Sequence, residues 1–478
     1  VTATSRNPHA SFRAPGAILL LSCYELGHAP LGLASPMGFL NADGFRPALQ
    51  DLATERLDAE RVAQARFVGI SVPMHTALRL GLRVSQRVRE LNPTAHVCFY
   101  GLYAGLNADL LLEGPADSVI GGEYEPALVG LLEALEGGDD LQTVAGISTD
   151  GTRHPPRLDR TAFAAPARSQ LRPLTSYAHL ELPEGEGSAK RTVGYVEASR
   201  GCKHLCRHCP IPPAYGGRFF VVPREVLLAD IEVLVAQGAQ HITFGDPDFL
   251  NGPSHALRLV QALHERFPDL TYDATIKVEH LLQHRALLPE LARTGCLFIV
   301  TAAESLSETV LAHLDKGHTR ADLAEAIAAV RAAGIAPRPT WVPFTPWTTL
   351  EDYLELLAFV RAERLIHHVD PVQYAIRLLV PPGSALLDTP QLTPHLGALD
   401  AEALTYTWRH PDPRMDALQT RVAALVESAA TQGEDPAATF RTVYDAALAA
   451  AGQPALAPDW LAAHGHPPAP RLSEPWFC

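Results

Sequence analysis

Nowhere in its 478 residues does this chain hold a run of about 20 apolar residues, the length a helix needs to cross a bilayer, so no membrane span is expected. The opening, Val1–Pro15, carries some charge and no apolar core. The apolar stretch after it, Ala17–Leu21, is too short for a secretory signal and reads as a strand, so the expected compartment is the cytoplasm. Dense runs of Lys and Arg are missing as well. With 39 basic against 53 acidic residues the formal net charge is −14, whereas proteins that hold nucleic acid do so largely by neutralising phosphates. The scattered arginines of Arg153–Arg172 read as a solvated linker, and nucleic acid is not an expected partner. Charge of either sign is scarce, at 19% of residues, while 47% are hydrophobic. That excludes a disordered chain and leaves apolar material for several domains at about 100–200 residues each. Cysteine is too sparse for a disulfide framework: Cys23, Cys98, Cys202, Cys206, Cys209, Cys296 and Cys478 are all there are. Three of them fall within eight residues, and in a reducing compartment such a cluster reads as metal-binding or catalytic.

What the chain does have is alternation. In residues 1–138, the runs Ala17–Leu21, Phe67–Val72, His96–Tyr100 and Ser118–Ile120 read as strands. A helical stretch after the second of these ends at Asn92-Pro93, and another over Glu125–Leu135 is stopped by Gly137-Gly138. Strands alternating with helices imply an open, Rossmann-like α/β sheet. Its ligand edge is the carboxyl ends of the strands, where Cys23–Gly27, Pro73–Thr76 and Gly101–Gly105 fall. Residues 139–191 read as a linker with a small hairpin around Ile147–Arg153. Residues 192–390 hold a second array, with strands expected at Val193–Ala198, His241–Phe244, Tyr272–Ile276, Leu297–Ala302, Arg338–Val342 and Val372–Val380. Helices lie between them, such as Arg224–Gln237, opened by Pro223 and closed by Gly238. Six such units suggest a (βα)6 partial TIM barrel, with its chemistry in the loops after the strands. Residues 391–452 read as a helical extension, clearest at Val422–Ala430 and Ala437–Ala450, and residues 453–478 as a Pro-rich flexible tail.

The cysteine cluster, Cys202-Lys203-His204-Leu205-Cys206-Arg207-His208-Cys209, directly follows the first strand of the second array. Three thiolates can hold three irons of a [4Fe–4S] cube and leave the fourth iron open. Zinc is the competing reading, because His204 or His208 could complete a closed four-ligand site. A non-catalytic structural or electron-relay cluster is a further alternative. After the second strand comes Gly245-Asp246-Pro247-Asp248, after the third Lys277, Glu279 and His280, and after the fourth Glu304-Ser305 with Lys316-Gly317-His318-Thr319. Each sits where a barrel places ligand contacts. Glu304 reads equally as a helix N-terminal carboxylate, and Arg377, within the sixth strand, as one half of an internal ion pair or the partner of an anionic ligand.

With this spacing and context, residues Thr192–Leu387 resemble the radical S-adenosylmethionine (SAM) superfamily. The resemblance implies a [4Fe–4S] cluster on Cys202, Cys206 and Cys209 whose open iron chelates SAM, reductive cleavage of SAM to a 5′-deoxyadenosyl radical, and a reductant such as flavodoxin or ferredoxin. It implies SAM contacts at Gly245, Asp246, Asp248, Lys277, Glu304 and Arg377. The E-S…K-G-H-T stretch, Pro343-Phe344-Thr345-Pro346 and Pro381-Pro382-Gly383-Ser384 are similar to the subgroup with an N-terminal cobalamin-binding-type domain, and Gly121-Gly122-Glu123 to the G-G-E stretch of that domain. The D-x-H-x-x-G signature that gives cobalt a histidine is absent, and His75 lies in Pro73-Met74-His75-Thr76 without it. Cobalamin binding and a domain that has lost it are both open.

Over nearly its whole length the chain resembles the CUAEP/CCAEP-tail radical SAM proteins, through Tyr24-Glu25-Leu26-Gly27, Leu33-Ala34-Ser35-Pro36, Tyr100-Gly101-Leu102-Tyr103, Glu197-Ala198-Ser199-Arg200, Phe344-Thr345-Pro346-Trp347 and Trp408–Pro413. That family's tail continues past W-F-C with selenocysteine or cysteine and then A-E-P, while this sequence ends at Trp476-Phe477-Cys478. The resemblance implies a selenocysteine codon read as a stop. A terminal pair of soft, easily ionised atoms can bind a soft element or relay electrons, so Cys478 is a further candidate. The expected function is SAM cleavage to modify a small-molecule substrate. The alternative is transfer of the 3-amino-3-carboxypropyl group of SAM to arsenite or selenium held by the tail.

Overall fold

The computed structural model describes residues 11–159, 162–183, 190–457 and 468–474. In the N-terminal unit, β1 (Ile18–Ser22), β2 (Ala48–Asp51), β3 (Phe67–Ser71), β4 (His96–Tyr100), β5 (Ser118–Ile120) and β6 (Ile147–Ser148) form one sheet in the order β2-β1-β3-β4-β5-β6. All pairings are parallel except that of β6 with β5. Every residue of β1 and β3 is buried, because helices cover both faces. Successive side chains serve opposite layers: Leu19 and Leu21 join one core with Leu78 and Val88 of the helix His75–Leu91, while Ile18 and Leu20 join another with Leu33 and Leu128 of the helices Leu31–Ala42 and Glu125–Gly137. The sequence reading has no strand at Ala48–Asp51. These four residues lack β-branched and aromatic side chains and are strand only because β1 offers them an edge. The chain steps from β1 outward to β2 and back past β1 to β3, so the strand order reverses between β1 and β3.

β7 (His179–Glu181) and β8 (Arg191–Val196) open the second sheet, and β9 (Ser199–Gly201) and β10 (Phe219–Val221) make a separate two-stranded ladder. β11 (His241–Phe244), β12 (Thr271–Thr275), β13 (Cys296–Glu304) and β14 (Ala336–Trp341) continue in parallel with β8. A hairpin of β15 (Leu396–Asp400) and β16 (Thr405–Trp408) follows, and β17 (Arg471–Leu472) adds antiparallel to β7, itself antiparallel to β8. The sheet curls into a half-barrel. Its floor is closed by Leu180, Val193, Phe298 and Val300, with Leu472 against them. Arg338 of β14 donates to the carbonyl of Pro470 beside β17 (3.2 Å), so the two edges of the sheet approach one another. The helices Pro413–Gln432 and Pro436–Ala450 pack Met415, Val422, Phe440 and Val443 into the barrel's main core.

The sixth barrel strand expected at Val372–Val380 is not one. Pro371–Ala375 is a 3-10 turn, and pairing shrinks to one bridge, Phe344 with Arg377. The cause is written in β14. The backbone N–H of Val342 bonds back to Glu304, so the alternate residues 337, 339 and 341 turn theirs outward. Two of these are Pro337 and Pro339, which have no N–H to give. The one remaining donor, Trp341 N, meets the Gln373 side chain at 3.0 Å instead of a strand.

Candidate active site

The three cysteines lie between β9 and β10, on the loop that leaves the carboxyl end of β8. Asp246, after β11, staples this loop: its carboxylate accepts from Ala198 N at 2.8 Å and from Ser199 Oγ at 2.6 Å. Burial pushes the Asp246 carboxyl up to about 7. Asp246 therefore holds the cysteine loop, and both its oxygens are taken by the protein, which differs from the SAM contact expected of it. Gly245 before it is dictated by sterics, since a Cβ there would collide with the ring and hydroxyl of Tyr195. Tyr195 in turn stacks on His28 of the first domain with centroids 4.5 Å apart. Asn251 Oδ1 accepts from Lys203 N (3.3 Å) and from the Cys202 thiol (3.8 Å).

Burial pushes the Cys209 thiol up to about 12 and that of Cys202 upward, and Cys206 adds to both by charge. The Cys202 and Cys209 thiols therefore favour staying protonated until a cation displaces the protons. The donor set therefore fits an iron–sulfur cluster, and Asn251 Nδ2 and His208 Nδ1 are buried polar atoms without a protein partner among the described residues. Of the two histidines that could complete a zinc site, His204 has both nitrogens engaged, Nε2 by His280 at 3.3 Å and Nδ1 by Lys277 at 3.1 Å, while His208 Nδ1 has no protein partner among the described residues.

Around the loop stands a ring of buried carboxylates, each with its own bases. Glu304 ends β13 in the left-handed region (φ 63°), which turns its side chain out of the strand's alternation. His208 Nε2 and Lys316 Nζ each lie 3.2 Å from its Oε1. Burial opposes the charge, but Lys316 and His208 outweigh it and hold the carboxyl down to about 2. Asp248 is likewise kept below the usual range, as His204 and His280 overcome its burial. Its Oδ2 is 2.5 Å from His280 Nδ1 and 3.6 Å from His204. Lys277 Nζ joins the far side of His204 and also reaches Glu279 at 3.2 Å. His204, Asp248 and His280 bring ligand atoms within 4.8 Å of one another, a set able to hold a metal ion. A cavity of about 280 Å³ opens beside Lys316 and His318. Anionic, protonation-locked carboxylates next to a thiol loop suit a cationic guest such as the ammonium and sulfonium of SAM.

Other expected residues lie elsewhere. Arg377 is one half of an internal ion pair: Nη1 contacts Asp416 at 2.7 Å, Nη2 donates to the Trp408 carbonyl at 2.7 Å, and the guanidinium lies 3.4 Å over the Trp408 ring. Glu123 belongs to a buried knot between the domains. It accepts from Tyr215 (2.8 Å) and, with Glu125 and Glu197, surrounds Arg200 at 3.4, 2.7 and 3.0 Å. Burial pushes Glu123 and Glu197 upward, as expected for three carboxylates sharing one guanidinium. Gly121 packs against the backbone of Gly105, and Gly122 (φ 66°) against Pro156. None of the three faces an open crevice. Leu404 of the β15–β16 hairpin lies in one buried core with Cys23, Val72 and Tyr103 at the carboxyl edge of the first sheet. Cys478 lies outside the described residues. The sequence reading missed Asn251, the Arg200 knot and Leu404. Only Arg200 left a signal, as a lone base flanked by Glu197 and the cysteines.

Residues 196–360 match the family described as the Radical SAM superfamily. An uncharacterized methyltransferase of Pyrococcus horikoshii is 23% identical over 304 residues, 62% of this chain and 64% of that protein. In fold the chain is similar to TsrM from Kitasatospora setae, a radical SAM methyltransferase solved with cobalamin and a [4Fe–4S] cluster (TM-score 0.58, 18% identity, 73% of this chain and 70% of that one). It is also similar to OxsB, a cobalamin-dependent SAM radical enzyme (TM-score 0.70, 16% identity, 86% and 67%). The chain thus spans about two thirds of the length of these proteins. The match places a radical SAM domain within residues 196–360, and a [4Fe–4S] cluster and SAM are the cofactors that such a domain implies.

Proposed function

We propose that this enzyme cleaves SAM reductively and uses the product radical on a small-molecule substrate, with flavodoxin or ferredoxin as the electron source. The observation that carries this reading is the seating of Cys202, Cys206 and Cys209 on the loop after β8, ringed by Asp248, Glu304 and their basic partners. Cys202, Cys206 and Cys209 would hold a [4Fe–4S] cluster, which would supply the electron for reductive cleavage of SAM. The protein's own work is positional. Asn251 and Asp246 hold the loop, Glu304 stays ionised between His208 and Lys316 to receive a cation, and the Arg200 knot excludes water behind the cysteines. The test is anaerobic reconstitution with iron and sulfide, addition of SAM and dithionite, and quantitation of nucleosides. 5′-Deoxyadenosine is expected and should vanish in Cys202→Ala; neither 5′-deoxyadenosine nor methylthioadenosine from a preparation with about four irons per chain overturns the reading.

A second reading is favoured by the docking of the tail, and rests on resemblance to the CUAEP/CCAEP-tail proteins. Glu474 accepts from Tyr24 OH at 3.1 Å, at the carboxyl end of β1. On this reading Cys478 presents arsenite or a selenium compound, and the 3-amino-3-carboxypropyl group of SAM is transferred to it. Methylthioadenosine as the main product, increased by arsenite, supports it; its absence with arsenite or selenite rules it out.

A further inference from the structure

An open α/β sheet receives its ligand outside the carboxyl ends of its strands, where the strand order reverses, here between β1 and β3. Distant parts of the same chain already lie there. Leu404, at the tip of the β15–β16 hairpin, is 2% exposed and belongs to the first domain's core, with Cys23 just past β1, Val72 just past β3 and Tyr103 just past β4. It takes this seat with φ 56°, a left-handed conformation that a leucine keeps only where its surroundings hold it.

The surroundings do hold it. His75 Nε2, after β3, donates to the Ala403 carbonyl at 2.9 Å. Asp400 Oδ1 accepts from Glu402 N and Ala403 N at 3.0 and 2.9 Å and so folds the tip. Behind the tip, Tyr406 N donates to the Val380 carbonyl (2.8 Å) and Val380 N to Thr405 Oγ1 (3.1 Å), tying the hairpin to the second domain. The flanks are covered too. Gly383 lies so close to Leu106 of the helix Leu102–Leu106 that a Cβ would stand 3.1 Å from its side chain, and the Glu474 side chain occupies the space over Gly27 that a Cβ there would need.

We propose that Leu404 is the resident ligand of the first domain. The crevice in which this fold would receive a cofactor is filled by the chain's own apolar side chain, so the enzyme neither binds nor needs cobalamin, and the domain serves as a clamp on the hairpin. The inference is independent of the substrate and of which SAM bond breaks.

The test uses the full-length, cluster-reconstituted enzyme. It is incubated with excess hydroxocobalamin, desalted and examined by absorbance, and SAM cleavage is measured with and without hydroxocobalamin. No retained corrin and an unchanged cleavage rate are expected; one retained corrin per chain, or cleavage that rises severalfold with it, overturns the proposal. Hydrogen exchange on the unmodified protein gives a readout that no folding failure can cloud. The amides of residues 400–408 should exchange slowly and become fast in Leu404→Gly, whereas fast exchange in the unmodified chain would mean an unseated tip and would also overturn it. A protein that makes no deoxyadenosine at all counts against the proposed reaction and leaves the corrin and exchange results readable.

Discussion

Two α/β sheets in this chain are built alike and end differently. Each is a largely parallel sheet with helices behind it and loops at its carboxyl edge. At the half-barrel's edge those loops carry thiols, imidazoles and carboxylates whose charges are locked by neighbours, as Glu304 is by Lys316 and His208. At the first sheet's edge they carry Val72, Tyr103 and Cys23, and the gap between them is closed by Leu404. The fold offers a site in both places, and the side chains decide which becomes one. The boundary between the two is not passive. Arg200, two residues before Cys202, is anchored in Glu123 and Glu125 of the first domain, so the sealed domain braces the reactive loop.

Breaking the open edge should have the largest effect. Cys202→Ala, Cys206→Ala or Cys209→Ala should each lose the cluster absorbance and reduce deoxyadenosine to background, with the fold intact by circular dichroism. Next comes the brace. Arg200→Met strands the buried carboxylates of Glu123 and Glu125, and removing one partner of a buried ion pair costs about 3–5 kcal/mol, so its denaturant midpoint should fall sharply. Glu125→Gln should come out nearly neutral, because the knot already has more carboxylates than cations and Glu125 Oε2 has no partner among the described residues. Equal losses in the two variants would refute the charge argument. At the sealed edge, Leu404→Ala should cost about 2–3 kcal/mol, the lower part of the range for buried leucines, while SAM cleavage persists.

The pH response should separate the same two regions. Burial raises the Glu25 carboxyl from 4.5 to about 8 even though Gly32 N donates to it. A carboxyl raised in the fold binds more protons there than in the unfolded chain. Its contribution is therefore fully present below about pH 4.5 and is lost as pH rises through about 8. Glu25→Gln should flatten this decline, gaining up to about 4 kcal/mol at pH 8 relative to pH 5, since each pH unit between the two values is worth about 1.4 kcal/mol. The smallest effect belongs to the tail strand. Arg471 pairs with Glu181 at 2.9 Å with both side chains partly exposed, and such pairs contribute about 0–1 kcal/mol, so Arg471→Ala should leave the midpoint and SAM cleavage almost unchanged.

Much of this was legible beforehand. The strands at His96–Tyr100, Ser118–Ile120 and His241–Phe244 follow from short apolar runs, and the cysteine loop from spacing and position. Where the reading failed, local pattern was overruled. Val372–Val380 has strand composition, but the donors it needed belong to β14, where prolines removed them. Ala48–Asp51 and Arg471–Leu472 lack strand patterning and pair because an edge was free. Arg377 was read as a SAM contact or one half of an ion pair, and nothing in its neighbourhood could name Asp416, 39 residues on.

By itself, the sequence determined the class of chemistry and the order of the elements, because both rest on short-range facts: three thiols within eight residues, apolar runs of strand length, and glycines and prolines that end helices. Only the tertiary structure decided which edge is open. That outcome depends on contacts between residues hundreds of positions apart, such as His75 with Ala403 and Tyr24 with Glu474. Their free energy comes from excluding water between surfaces that no window of sequence holds together.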